Sequence, residues 1–278
     1  MSGLYEKSRL FGGQAVGQAF RALQEQIGFD LMPCTIHYKF IAPGTLNAYG
    51  WKRDFDEGKI DVDLDYEVVQ LENDNYRTLT RQNGKLIGSA FVSINSNEDI
   101  IEKLELDYVE KPNDLLSVDQ LLKNMGFNEN SNTLKYLNSN IFELKLVEWS
   151  RVAKQKNIHR NLVWIRLYPD CHEHVKSSHG AQLALTLSDY FIILVAEDIY
   201  NESGYRAPQA ASLHHSVKLH KRNFDINPYG WMLYRVEAEI ISNHRAILKA
   251  HIYNEDFDLI ASITQEAYIV SEAKKSRI

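Results

Sequence analysis

The strongest constraint on this chain's fold is that the sequence states one pattern twice. GGQAVGQAFRALQEQ from Gly12 and GAQLALTLSDYFIIL from Gly180 both open on Gly-small-Gln and continue with apolar residues at helical spacing. Farther along each half, GKLIGSAFVSI at 84–94 and FDLIASITQEAYIV at 257–270 share Leu-Ile-small-Ser after a turn, and each reads as a last strand. Between helix and last strand lie alternating, β-branched and aromatic segments. In the first half these are CTIHYKFIA, KIDVDLDYEVV and YRTLTRQ; in the second they are ASLHHSVKLH, WMLYRVEAEII and RAILKAHIYNE. A chain that writes one helix followed by several antiparallel strands, and then writes it again, is restricted to folds made of two related α+β units.

The acidic, Asn-rich stretch from 96 to 137 reads as a linker, which divides the chain into an N-terminal unit at 1–95 and a C-terminal unit at 138–278. NIFELKLVEW and NLVWIRLY open the second unit as strands and have no counterpart before Gly12, so the first unit is predicted to lack its opening strand. An exposed edge there would need cover, which predicts homo-oligomerisation. With 44% hydrophobic and 11% aromatic residues the chain can bury a full core, while its net charge of -6 argues against a nucleic-acid partner. Cys34 and Cys171 are far apart and form no CxxC, which reads as free thiols in a reducing compartment. There is no run of about 18 apolar residues and no apolar leader at MSGLYEKSRL, so the expectation is a soluble intracellular protein without a membrane span.

One residue conflicts with the pattern around it. GAQLALTLSDYFIIL reads as a continuous buried helix, yet Asp189 places a carboxylate in its middle. An ionised carboxylate without partners costs several kcal/mol to bury, so Asp189 must be paired, raised in pKa, or at work in a site.

LFGGQAVGQAF, YKFIAPG, QNGKLIGSAF, FELKLVEW, HRNLVWIRL, SDYFIIL, ASLHHSVKLHK, WMLYRVEAE and LIASITQEAYIV follow one another in the order and spacing of the type II acyl-CoA thioesterases, which the chain resembles over nearly its whole length. That resemblance implies a double hotdog, two fused domains in each of which an antiparallel sheet wraps a central helix. It also implies hydrolysis of fatty acyl-CoA, with neither a metal nor an organic cofactor. The family's catalytic trio falls on Asp189 in LSDYF, Ser212 in AASLHH (expected at the start of its strand) and Gln265 in SITQEAY (expected near the end of the last strand). Aligning the two repeats places Arg21 opposite Asp189 and Val92 opposite Gln265, so the polar pair exists in one half only, as one site per chain requires.

These residue types suit the chemistry. Thioester hydrolysis needs a water held at the carbonyl carbon, a base, and donors for the developing oxyanion. Asp189 would serve as base or water orienter, with Ser212 and Gln265 fixing one water. An anhydride formed on Asp189 as nucleophile is an alternative within the same trio. Coenzyme A leaves as a thiolate whose parent thiol has a pKa near 8.5, so no strong acid is demanded. The Gly12-Gly13-Gln14 opening is expected to let the helix approach the sheet and to present its N-terminal amides to the substrate. His214 and His215 read as structural, although the family commonly has Asp at the place of His214. Cys171, His172, His174 and His179 lack regular ligand spacing and read as a solvated loop.

No G-x-S-x-G elbow is present, and Asp189 is followed by Leu194 where a hotdog hydratase would carry His. A catalytically silent hotdog protein that binds acyl-CoA, or that only assembles with partners, is the alternative function. Ser276-Arg277-Ile278 resembles a Ser-Lys-Leu address, which predicts recognition by a peroxisomal import receptor in a eukaryotic cell; otherwise the expected location is the cytoplasm.

Overall fold

Val16, Ala19, Phe20 and Leu23 fall on one face of a helix and are all buried, as their three-to-four-residue spacing requires. In the computed structural model, which describes residues 10–30, 34–44, 64–94, 109–124, 141–148 and 160–273, they belong to α1 (Gly12–Ile27). The N-cap residue Phe11 offers no side-chain acceptor, so the first-turn N–H groups of α1 are left for partners from elsewhere in the fold. Gly28, at φ 107°, ends the helix by returning its N–H to Gln24 O at 2.8 Å.

Four strands follow: β1 (Cys34–Phe40), β2 (Leu64–Gln70), β3 (Asn75–Gln82) and β4 (Lys85–Ile94). A short helix α2 (Val118–Asn124) precedes β5 (Phe142–Glu148) and β6 (Arg160–Leu167). Two further helices, α3 (Gly180–Ser188) and α4 (Ile192–Glu202), then lead into β7 (Tyr205–Leu219), β8 (Met232–Ser242), β9 (Arg245–Tyr253) and β10 (Leu259–Ala273). All ten strands form one sheet in the order β2-β3-β4-β1-β7-β10-β9-β8-β6-β5, and every pairing is antiparallel. The halves join at β1·β7, and α1, α3 and α4 lie within the core enclosed by the sheet. This is the double hotdog that the resemblance implies.

Every predicted strand is present, with differences at particular places. The second helix is two: α3 stops at Ser188, Phe191 turns left-handed at φ 63°, and α4 starts at Ile192. Strand β7 begins at Tyr205, well before the predicted ASLHHSVKLH. Its early part contains Pro208, which argues against a central strand, but pairing with β1 ends at Lys39↔His214, and among the described residues that side of 205–213 has no ladder partner. Among the described residues the first half has four strands and the second has six. The predicted absence of an opening strand concerns residues 1–9, which lie outside the described residues. Part of the predicted linker packs on the second half: Val109 is buried with Trp164, Trp231 and Leu233, and Trp164 Nε1 donates to Glu110 O at 2.8 Å.

Candidate active site

The break between α3 and α4 places Asp189. Ending α3 at Ser188 frees carbonyls that a continuous helix would have used. Side chains satisfy two of them: Ser188 Oγ lies 2.7 Å from Leu185 O, and the Tyr234 hydroxyl of β8 donates to Ser188 O at 2.5 Å. Asp189 is therefore a helix-terminal residue on the wall of a cavity, not a charge inside a helix.

The cavity measures about 400 Å³ and is lined from both halves: Phe11, Phe40 and Ile87 come from the first, and Ile193, Leu194 and Leu213 from the second. It lies where β1 departs from β7. Beyond Phe40 the chain turns away, with Ile41 N and Ala42 N both donating to Ile87 O, and the unpaired side of β7 faces the opening. Among the described residues Asp189 is the only lining residue with a carboxylate, and the rest of the lining is mostly apolar.

Ser212 reaches this wall because of a β-bulge. His215, Val217 and Leu219 point inward by strict alternation, which would send Ser212 to the outer face. The pairing shifts between Glu266↔His214 and Ala267↔Ser212, so Leu213 is an extra residue and Ser212 changes faces. Both Ser212 and Gln265 sit within their strands, not at the start and end that the family pattern suggested. Ser212 Oγ donates to Asp189 Oδ1 at 3.1 Å and accepts from Gln265 Nε2 at 2.9 Å. The three predicted trio residues, from α3's end, β7 and β10, thus form one hydrogen-bonded chain.

The first half contributes the N-terminus of α1. A Cβ on Gly13 would overlap the Thr186 carbonyl, and one on Gly17 would overlap the Thr186 hydroxyl, so glycine is what lets α1 and α3 approach this closely. As a result the Gly13 N–H donates to the Asp189 carboxylate, and a Cβ on Gly12 would stand 2.5 Å from Asp189 Oδ2. Gly12 lines the cavity, whereas Gly13 and Gln14 do not. The Gly13 amide, expected to be presented to the substrate, donates to the Asp189 carboxylate on the cavity wall.

Burial raises the pKa of Asp189 to about 7, against the opposing pull of hydrogen bonds from Ser212, Gln265 and the Gly13 N–H. Burial likewise lowers His215 to about 4 and pushes the Tyr234 phenol well above its ordinary value. Asp189 is thus set to exchange a proton near neutrality while its buried neighbours keep theirs.

The equivalent places in the first half hold no such arrangement. Arg21 pairs with Glu25 at 3.0 Å and lies over the Phe29 ring, and Val92 is fully buried. The N-terminus of α3 is plugged: Ala181 N–H donates to Asn223 Oδ1 at 3.0 Å, and Gly180 lies against Ile226 O. His214 is exposed on the outer face opposite Lys39 and Glu266, away from the trio. The His172 ring lies tilted against Tyr229, and His179 accepts the Lys176 N–H through Nδ1. Among the described residues no three His, Cys, Asp or Glu side chains gather as a metal site would require.

Sequence reasoning missed the network behind the trio. His215 lies 2.5 Å from Gln265 Oε1 through Nδ1 and 2.7 Å from Ser188 Oγ through Nε2. Its signal was available, since a histidine on the inward face of an otherwise apolar alternation needs partners in the core.

Residues 135–269 match the family described as "Acyl-CoA thioesterase C-terminal domain". The second half of the chain is thus similar to the C-terminal domain of acyl-CoA thioesterases. Among solved structures it is similar to the tesB protein of Mycobacterium avium subs paratuberculosis, at 18% identity and a TM-score of 0.65, covering 94% of this chain and 88% of that one. It is also similar to the acyl-CoA thioesterase II TesB2 of Mycobacterium marinum, at 16% identity and a TM-score of 0.62, covering 94% and 90%. A hot dog fold protein from Alicyclobacillus acidocaldarius matches at 14% identity and a TM-score of 0.68, covering 97% and 90%. At these identities the likeness between this chain and the solved structures is one of fold.

Proposed function

We propose that this chain hydrolyses fatty acyl-CoA thioesters, with Asp189, Ser212 and Gln265 holding and activating the attacking water. The observation that carries this reading is the position of Asp189: a carboxylate near neutrality in pKa, bonded to a hydroxyl and an amide, on the wall of an apolar cavity built by both halves. The apolar walls suit an acyl chain, and a carboxylate on that wall suits activation of a water at the chain's reactive end. In this reading Asp189 takes the proton of the water as it attacks the thioester carbon. Collapse of the tetrahedral intermediate breaks the carbon–sulfur bond and releases the thiolate of coenzyme A, which then takes up a proton from solvent. The match of residues 135–269 to the acyl-CoA thioesterase C-terminal domain supports the reaction class.

The test is thiol release from a panel of acyl-CoAs of increasing chain length by purified protein, with Asp189→Asn as control. Release that depends on Asp189 is expected. Acyl-CoA binding without release at any chain length would leave a silent binding protein. The route is separated by a single turnover in ¹⁸O-water: label in the fatty acid supports water attack, and label in the Asp189 carboxylate supports the anhydride route. Assembly into homo-oligomers and import into peroxisomes through Ser276-Arg277-Ile278 are further parts of this proposal. The tripeptide lies outside the described residues.

A further inference from the structure

His215 is fully buried, lines no part of the cavity, and makes two hydrogen bonds that the proposed chemistry does not use. Five groups connect end to end: Leu185 O, Ser188 Oγ at 2.7 Å, His215 Nε2 at 2.7 Å, then from His215 Nδ1 to Gln265 Oε1 at 2.5 Å, and from Gln265 Nε2 to Ser212 Oγ at 2.9 Å. Asp189 Oδ1 ends the series, 3.1 Å from Ser212 Oγ. Each hydroxyl has one proton, and a neutral imidazole has one proton and two ends. These counts allow two consistent directions.

In the first direction Ser188 donates to His215 Nε2, and Nδ1–H donates to Gln265 Oε1. Gln265 Nε2 then donates to Ser212, whose hydroxyl proton points at Asp189, and the last acceptor must be a carboxylate. In the second direction Ser188 donates to Leu185 O and accepts Nε2–H from His215. The Gln265 amide is turned over so that Nε2 donates to His215 Nδ1 and Oε1 accepts the Ser212 proton. Ser212 then offers Asp189 a lone pair, and Asp189 must be a carboxylic acid to use it.

We propose that Ser188 and His215 are positioning residues that act through Gln265 and Ser212, and that the direction of this wire follows the protonation of Asp189. The Nδ1–H tautomer accompanies the carboxylate and the Nε2–H tautomer accompanies the acid. The net uptake is one proton, at Asp189; the imidazole stays neutral and changes only which nitrogen carries its proton. The value of such a device in turnover rests on the hydrolase reading, because a base that has just taken a proton from water then finds an acceptor for it in Ser212. Its existence does not rest on that reading.

Neighbouring groups do not compete for the proton in this range. Tyr234 of β8 is held neutral by burial, and Tyr38 of β1, beside His215 in the ladder, is pushed up to about 12. Helix α1 presents only Gly12 and Gly13, with the positive end of its dipole. Glu197 and Asp198 of α4 are buried with partners of their own.

The experiment is NMR of the full chain without substrate, following the ring nitrogens of ¹⁵N-histidine and the carboxyl carbon of Asp189 from pH 5 to 9. His215 is assigned by the signal lost in His215→Gln. The expected result is a change of His215 tautomer with the same midpoint as the Asp189 titration, absent in Asp189→Asn. Ser188→Ala removes both hydrogen bonds of the Nε2–H direction but only one of the other. It should increase the Asp189 acid dissociation constant about fivefold, the equivalent of one hydrogen bond. A tautomer that stays constant while Asp189 titrates, an imidazolium signal in this range, a carboxyl that does not titrate, or an unmoved midpoint in Ser188→Ala would each overturn the wire. Absence of thiol release from wild-type protein would remove the hydrolase reading and leave these readouts intact.

Discussion

Replacing Asp189 by Asn should make the protein more stable and nearly inactive, and the stability gain should depend on pH in a set direction. Raising this carboxyl from 3.8 to about 7 is about 3 pH units, or about 4 kcal/mol at 1.36 kcal/mol per unit. The carboxylate opens on the cavity and is partly exposed, so about half of that, ~2 kcal/mol, is the expected cost of keeping it ionised. Because the folded-state pKa is raised, this group's stabilising contribution is fully present below pH 3.8 and is lost as pH rises through about 7. Asn has no such dependence, while its carbonyl can still accept from Ser212 and the Gly13 N–H. The variant's advantage should therefore be largest above pH 7 and fall to less than about 1 kcal/mol at pH 5, where only a third or so of the window has been crossed. At about 2–4 °C per kcal/mol for a domain of this order of size, the melting temperature should rise by about 4–8 °C at pH 8. Turnover should fall about 10²- to 10⁴-fold with loss of the base. The assay is calorimetric melting from pH 5 to 8 beside thiol release. A variant less stable than wild type at pH 8 with turnover near normal would refute the reasoning and make Asp189 a structural charge.

The remaining predictions concern the same site and the chain's end. kcat/KM should rise with pH and level off above about 7 as Asp189 ionises, and a profile flat from pH 5 to 8 would remove Asp189 as the base. Gly13→Ala should destabilise by about 2 kcal/mol or more, because its Cβ meets backbone at Thr186. Gly12→Ala instead meets Asp189 Oδ2 and should leave melting within a few degrees while cutting turnover at least tenfold; equal effects on melting and turnover in the two variants would contradict these different contacts. Ser212→Ala and Gln265→Ala should each lower kcat, and the double variant should lose much less than the product of the two if they hold one water. A fluorescent protein fused before residue 1 should give a punctate peroxisomal signal that disappears on deletion of Ile278, and diffuse signal from the intact fusion would refute the address.

Much of this architecture was legible because the patterns that encode it are local. The apolar spacing of α1, the alternation of β3 and β8, and the Leu-Ile-small-Ser of β4 and β10 each depend on neighbours a few residues away. Asp189 stood out for the same reason, as a charge against its immediate surroundings. Its grouping with Ser212 and Gln265 came from family resemblance, since nothing local ties together residues from three separate elements. The inward turn of Ser212 depends on the extra residue Leu213, and no alternation rule places a bulge in advance.

By itself, then, the sequence determined two copies of one helix-and-sheet unit, the identity of the strands, and the presence of one carboxylate that burial would have to explain. These follow from periodicity, which each segment carries without reference to the rest. Only the tertiary structure decided that α3 stops before Asp189, that glycines let α1 bring the Gly13 amide from the other half against the carboxylate, and that His215 joins Ser188 to Gln265. The physical reason is that a proton's place in a buried network depends on donor and acceptor positions set by strand register and helix packing. Those positions exist only once residues far apart in the chain have been brought within about 3 Å of one another.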